Sequence, residues 1–262
     1  MSIKIATPIS HLFGCSDLAG KIIEQSDCLE CRQESVNADY PAQYLFHCHL
    51  QPIHELGTED FKYLEQIAEK KPDLKLVTFH AATQCSRPSM DGYMFQPGGR
   101  QYSRKEMLEN TGKNFRRIRS IWGKRIKIAI ENNNYYPTEA YRLITDADFI
   151  MDIVRENDIY LLFDIAHAEI TARNKKIDYE EYKEQLPLDR IIQLHVCRYA
   201  VDKDNIAYDA HAAPTEIQWQ QVKNILTCCR PTVEYLTVEY YQDASNLITA
   251  LKKSREIVDG LS

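Results

Sequence analysis

Apolar residues along this chain gather into short continuous runs, and several of the runs end on a histidine or a carboxylate. Eight of them can be placed, at 3–7, 27–33, 44–49, 74–80, 126–132, 159–165, 190–197 and 233–240. They are rich in Ile, Val, Leu, Phe and Tyr and mostly unbroken rather than alternating. That is the pattern of strands buried on both faces, as in a parallel sheet. Between most of them the period changes to that of an amphipathic helix. TEDFKYLEQIAEK (58–70) predicts a helix stopped by Pro72. A second is predicted from Ser103 to Gly123, with Ser103 and Glu106 at capping-box spacing. Residues 146–157, 215–228 and 243–258 complete the helical set. Strand and helix alternating in this way predict an α/β fold, a (β/α)8 TIM barrel spanning 1–262 as one domain. The second strand, CLECRQ, and the 34–43 link behind it carry the weakest pattern. The longest irregular stretch, 81–102, is expected to be a lid or binding loop, with Arg87, Tyr93 and Arg100 available to a substrate.

Parallel barrel strands aim their C-terminal ends at one mouth, where active sites form. Here those ends carry ligand-type side chains. YLFHCHL (44–50) supplies His47, LKLVTFH (74–80) supplies His80, and IKIAIEN (126–132) supplies Glu131. IYLLFDIAH (159–167) supplies Asp164 and His167, IIQLHVC (191–197) supplies His195, and LTVEYY (236–241) supplies Glu239. A loop, AYDAHAAP (207–214), adds Asp209 and His211. Charged residues inside apolar strands are rarely buried without a partner, which singles out Glu131, Asp164 and Glu239. His49 points to the same face as His47 in an extended strand and is an alternative to it; His11 and His54 fall outside the set. Nine such side chains are too many for one ion, which takes roughly four to six ligands, so about two or three ions are expected. No cysteine belongs to the set, which argues for nitrogen and oxygen ligation of Fe, Mn, Zn or Co. Asn132 and Asn133 are placed to orient the ligating carboxylates.

Net charge is −6, which disfavours generic binding to nucleic acid or to an anionic membrane. Basic fragments at 113–119 and 124–127 fall on a helix and its exit and read as a solvated face. No apolar run approaches the roughly 20 residues of a membrane-spanning helix, and MSIKIATPIS is not a signal peptide, so a cytoplasmic protein is expected. The eight cysteines then read as free buried thiols by default. Cys28 and Cys31 form a lone C-x-x-C, for which a redox or zinc role is the alternative; on a strand their side chains point to opposite faces, which counts against a shared zinc.

The ordered ligand set, with D-x-x-H after one strand and D-x-H after the next, resembles the xylose-isomerase-like TIM-barrel superfamily, which includes endonuclease IV, sugar epimerases and inosose dehydratases. A closer resemblance runs over roughly 126–240. IENNNYYP, LLFDIAHAEITARNKKIDYEEYKEQLPLDRIIQLHV, YDAHAAP and TVEYY are similar to the MbnB/TglH-type family of multinuclear-iron peptide-modifying enzymes. The N-terminal half matches more loosely. LFHCHL stands where that family usually has a His-Gly turn, VTFHAA where it has Ser-Asp-His, and His167 where it commonly carries Asn, as in the endonuclease IV pattern. The resemblance implies two or three irons on the nine ligands, with zinc or manganese as alternatives. It also implies an oxidase or oxygenase in which a small peptide's cysteine thiolate binds one iron and dioxygen another, hydrogen being removed next to sulfur. A partner that presents the peptide is part of that implication.

Two other enzyme classes compete. A sugar isomerase or epimerase needs one divalent ion on Glu131, Asp164, His195 and Glu239, the two Glu shuttling a proton next to a carbonyl. It leaves the other five ligands without a role. An endonuclease IV-like phosphodiesterase would use three zincs. Its ligand set fits, but the acidic chain and the lack of an evident basic, aromatic DNA-binding loop fit badly, since phosphate contacts supply most duplex affinity. A non-catalytic binding barrel is the fourth reading.

Overall fold

The computed structural model describes residues 2–229 and 232–261. Its centre is a closed barrel of parallel strands: β1 (Lys4–Pro8), β2 (Cys28–Cys31), β3 (Gln43–Cys48), β4 (Leu76–Phe79), β7 (Lys127–Glu131), β8 (Tyr160–Asp164), β9 (Ile191–Val196) and β12 (Tyr235–Val238). The strands neighbour one another in chain order, and β12 closes the ring on β1. Helices pack outside: α1 (Ser16–Glu24), α2 (Thr58–Lys70), α3 (Arg104–Trp122), α4 (Ala147–Glu156), α5 (Ile165–Lys175), α6 (Tyr179–Glu184), α7 (Glu216–Cys229) and α8 (Ala244–Gly260). Ser103 caps α3 by accepting from the Glu106 amide, while Glu106 reaches back to the Ser103 amide.

The expected alternation fails at one place. Between β2 and β3 the chain makes only a 3-10 turn, Gln33–Ser35. The link, residues 32–42, lies at the lower limit of the roughly 10–12 residues that a crossover with a helix and its two turns needs.

Strand periodicity builds the site. Outward residues such as Ile5, Phe46, Val77, Ile130 and Phe163 join helix residues Phe61, Phe115, Phe149 and Leu251 in the main core. Inward residues Ala6, Cys28, Leu45, Leu76, Ala129 and Tyr235 form a second, smaller apolar cluster. Two residues further along each strand the side chain returns to the same face. There stand Glu30, His47, Thr78, Glu131 and Thr237, all buried. The barrel interior thus passes from an apolar plug to a charged layer within one step along the strands.

Two antiparallel hairpins rise beside the barrel. The stretch 81–102, expected to be irregular, contains β5 (Ser89–Asp91) and β6 (Met94–Gln96), turned at Gly92 with φ +60°. Gly98 and Gly99 bring its return strand against Ser86 and Arg87. A Cβ on Gly98 would lie 2.3 Å from the Arg87 carbonyl oxygen. The segment expected to be a loop around Asp209 is a strand, β11 (Ala207–Ala212), paired with β10 (Arg198–Val201). The reason is the reverse turn at 202–206, where Asp202 accepts from the amides of Asp204 and Ile206. Among the described residues no helix is long and apolar enough to cross a membrane.

Candidate metal centre

His47 lies within β3 and His80 directly after β4. Glu131 and Asp164 are the last residues of β7 and β8, and Glu239 directly follows β12. Helix α5 starts with no intervening loop, so Asp164 is both strand end and N-cap, its Oδ1 accepting from the His167 amide at 2.8 Å. That continuity lets the D-x-x-H spacing place both side chains at the mouth. His195 comes from β9, and Asp209 and His211 from β11. His211 has φ +42°, a rare backbone state for a non-glycine and one that gathers at functional sites.

Two carboxylates link the histidines into three groups. Glu131 Oε2 lies 3.0 Å from His80 Nδ1 and 3.3 Å from His47 Nε2. Glu131 Oε1 lies 3.8 Å from His195 Nδ1, which is 3.8 Å from Asp164 Oδ2 and 2.9 Å from Glu239 Oε2. Glu239 Oε1 lies 3.0 Å from His211 Nε2, and Asp209 Oδ2 lies 3.2 Å from His211 Nε2 and 3.4 Å from His167 Nε2. The structure therefore brings all nine predicted residues together, with Glu131 and Glu239 shared between neighbouring groups.

The donor set fits divalent cations. Carboxylates approach His47, but among the described residues both of its ring nitrogens and the Oδ2 of Asp164 are buried with no hydrogen-bond partner. Unpaired buried polar atoms are rare and costly, and a bound cation would satisfy these. Two histidines are oriented from behind. His167 Nδ1 lies 2.9 Å from the Asn132 carbonyl oxygen, which leaves Nε2 toward Asp209. His195 Nε2 lies 2.9 Å from Glu30 Oε2, which leaves Nδ1 toward the centre. This is the outer hydrogen bonding that fixes a ligand's tautomer.

The electrostatics point the same way. Burial alone would raise the Glu30, Glu131 and Glu239 carboxyls. Nearby cations reverse this: chiefly His195 for Glu30, His47 for Glu131 and Arg32 for Glu239, and all three are held well below the usual range. Burial would lower His195 and His167, yet the carboxylates hold both well above the ordinary imidazole value. His80 is lowered by burial and by His47 beside it. Asp164 is pushed up to about 7, by burial first, with Glu239 and Glu131 adding to it against the histidines. A ring of carboxylates that needs protonated histidines for balance would accept metal ions in their place.

Other residues stand elsewhere than expected, or were not expected. Strand β3 ends at Cys48, so His49 leaves its face and is exposed, edge-on to Tyr63 5.3 Å away. Asn132 and Asn133 hold backbone rather than carboxylates. Asn132 pairs with both the amide and the carbonyl of Asp164, and Asn133 donates to the Ala81 carbonyl. Glu30 and Arg32, on and after the weakest strand, enter the site. Glu30 is 1% exposed, and Arg32 pairs with both Glu30 and Glu239. Cys197 also reaches it, its Sγ 3.9 Å from Asp209 Oδ1. A carboxylate inside the apolar CLEC run was the available signal for Glu30, as it was for Glu131. Cys28 and Cys31 are free and buried, and Cys31 Sγ donates to Gln43 Oε1.

The mouth above the ligands is a cavity of about 350 Å³, walled by Met90, Tyr93, Phe95, Tyr136 and Arg32. Larger clefts lie beside Tyr135 and Lys175 and between α3 and α4, but no histidine lines them. The two hairpins meet over the mouth. Tyr93 donates to Asp202 and stacks on Tyr208 with ring centroids 4.7 Å apart.

The sequence and fold have relatives. Residues 100–258 match the model of the family described as RiPP precursor modification enzyme MbnB/TglH/ChrH. A UPF0276 protein of Acaryochloris marina is 26% identical over 164 residues, 62% of this chain and 58% of that protein. One of Nitrosospira multiformis is 27% identical over 109 residues, 42% of this chain and 38% of that protein. The matched stretch thus spans well under two thirds of either relative. Among solved structures, the apo 3-keto-D-glucoside 4-epimerase YcjR of E. coli superposes with a TM-score of 0.65 at 13% identity, covering 97% of this chain and 98% of that one. A xylose isomerase-like TIM barrel protein of Mycobacterium smegmatis, in complex with magnesium, superposes with a TM-score of 0.53 at 12% identity, covering 94% and 89%. At such identities the likeness is one of fold, the xylose isomerase-like TIM barrel.

Proposed function

The chain belongs to the MbnB/TglH/ChrH family of RiPP precursor modification enzymes, and on that premise we propose that it is a multinuclear metal-dependent oxidase or oxygenase acting on a cysteine of a small peptide. Iron is the favoured metal, with zinc or manganese as alternatives. One observation carries the reading. Glu131 and Glu239 each lie between two groups of nitrogen and oxygen donors, the arrangement that bridging carboxylates need. His47, His80 and Glu131 would hold one ion. Glu131, Asp164, His195 and Glu239 would hold a second, and His167, Asp209, His211 and Glu239 a third. When bound, the ions would supply thiolate coordination and the electron exchange that reaction with dioxygen requires.

The chain's own residues do the rest. Glu30 holds His195 and Asn132 holds His167, so both rings keep one nitrogen free for the centre. Arg32 offsets the excess negative charge of Glu30 and Glu239 at the rim. Met90, Tyr93 and Phe95 would cover a peptide's cysteine and limit water around it. A partner that presents the peptide belongs to the same proposal.

A sugar epimerase remains the second reading, because Glu131, Asp164, His195 and Glu239 alone could hold one ion and exchange a proton. It gives His47, His80, His167, Asp209 and His211 nothing to do. The test is protein purified without oxygen from iron-supplied cells. Under the proposal it holds about two or three irons and, on admitting oxygen, changes the mass of a cysteine-containing peptide at that cysteine. Glu131→Gln and His195→Ala should lose iron while keeping the barrel's circular dichroism. Retention of metal and activity in both variants would sink the proposal. A single manganese or magnesium with epimerisation of a ketose would favour the second reading.

A further inference from the structure

Strand β9 delivers His195 to the mouth, and the residue that returns to its face two positions later is Cys197. Its side chain is fully buried, beside carboxylates. Its Sγ, an oxygen of Asp164 and an oxygen of Glu239 all lie within 4.8 Å of one another, and Asp209 Oδ1 is 3.9 Å away. The chain's other inner thiols are placed differently. Cys28 sits in the apolar plug, and Cys31 donates to Gln43 at 2.8 Å.

A neutral thiol is a weak donor and can satisfy little of this carboxylate wall. Asp164 is fully buried, and its Oδ2, 3.8 Å from His195 Nδ1, has no hydrogen-bond partner among the described residues. Two independent features, an unpartnered oxygen of Asp164 and a thiol beside the same carboxylate, thus converge on one place. A divalent cation there would satisfy both.

We propose that Cys197 is a thiolate ligand to the ion held by Asp164, Glu239 and His195. On binding, the S–H bond breaks, its proton leaves to solvent, and the sulfur's electron pair forms the bond to the metal. No electron changes owner. A soft sulfur donor would bias this position toward iron, cobalt or zinc and away from magnesium or manganese. The inference rests on the metal reading above and extends it, since no cysteine was expected among the ligands.

The experiment uses the full chain, freed of metal by a chelator and loaded without oxygen with Co(II). Bound cobalt per chain and the near-ultraviolet sulfur-to-cobalt charge-transfer band are read separately. The parent should show the band. Cys197→Ser should bind cobalt yet lose nearly all of the band, while Cys31→Ser keeps it. Cys197→Ala replaces the serine variant if a buried hydroxyl disturbs folding. Cobalt bound without the band in the parent, or a band that survives in Cys197→Ser, overturns the assignment and leaves the metal centre standing. A parent that binds no cobalt overturns both.

Discussion

Glu30 and His195 are 165 residues apart in sequence, and their side chains meet at 2.9 Å inside the barrel. The carboxylate occupies one ring nitrogen so that the other faces Glu131, Asp164 and Glu239. Gln193 steadies the pair, donating to Glu30 Oε2 at 2.7 Å. Outer partners of this kind typically change metal affinity about 10–100-fold when removed. Glu30→Gln should therefore weaken binding at the His195 position by about that factor while leaving the fold intact. A competition titration against a chelator dye checks it, and unchanged affinity would show that Glu30 merely packs.

Asp164 gives the metal-free protein a pH dependence whose sign can be worked out. Its carboxyl is raised to about 7, against an ordinary value of 3.8. Between those values the folded state holds a proton that the unfolded chain releases. Folding is therefore unpenalised near pH 4, loses stability as pH rises toward 7, and carries the full penalty above it. The gap corresponds to a few kcal/mol, on the order of 1.4 kcal/mol per unit. Asp164→Asn keeps the acceptor that caps α5 but cannot ionise. Metal-free Asp164→Asn should be more stable than its parent at pH 8, with the difference vanishing toward pH 4, as read by urea unfolding across that range. Saturating metal should reverse the order, because the parent then gains a ligand the variant lacks. A metal-free difference that does not change with pH would refute this assignment.

How far the site could be read from the chain depended on strand length. Glu131 and Glu239 stood out because each interrupts or ends a long apolar run, where an unpaired charge is costly. Glu30 obeys the same rule, but CLEC is four residues long, and so short a segment shows no period. His47 and His49 are indistinguishable by alternation. Only the end of β3 at Cys48 separates them, and strand ends follow from pairing with the neighbouring strand β4, which local sequence does not encode. The hairpin at 89–96 carried an Asp91-Gly92 turn signal, yet three-residue strands leave too little pattern around it. Cys197 was legible as the residue two beyond His195. What concealed it was chemistry, because a buried cysteine is usually a packing residue.

The thiols themselves offer a direct check of burial. Cys15 and Cys228 are exposed, and the remaining six are buried. Burial pushes the Cys28 thiol up to about 12, with Asp27 adding to it, and pushes Cys31 up to about 11. Thiolate is the reactive form, so both should be inert at neutral pH. A thiol reagent should label Cys15 and Cys228 rapidly in the folded chain and the rest only after denaturation. Fast labelling, located by peptide mapping, would contradict the closed plug at the barrel's base if it fell on Cys28, and the packing of the main core if it fell on Cys31.

The clasp between the hairpins is the feature most directly tied to substrate entry. Tyr93 reaches from the β5–β6 hairpin to Asp202 at the turn of the β10–β11 hairpin, and its ring stacks on Tyr208 at an interplanar angle of 18°. The contact is partly exposed, so its loss should cost little global stability, about 1 kcal/mol or less. Its effect should instead be local, because hairpins with few buried contacts open well below the global unfolding free energy. In Tyr93→Phe the ring keeps its stacking and loses the hydroxyl. Amide exchange should accelerate in residues 89–96 and 198–208 while the barrel strands exchange as before. If the mouth must close on a peptide, the same variant should raise KM more than it lowers kcat. Tyr93→Ala, which also removes the stacked ring, should exceed it on both measures. Unaltered exchange in Tyr93→Phe would mean that the hairpins are held by stacking and by their own ladders, and that the Tyr93–Asp202 bond does not govern access to the metal centre.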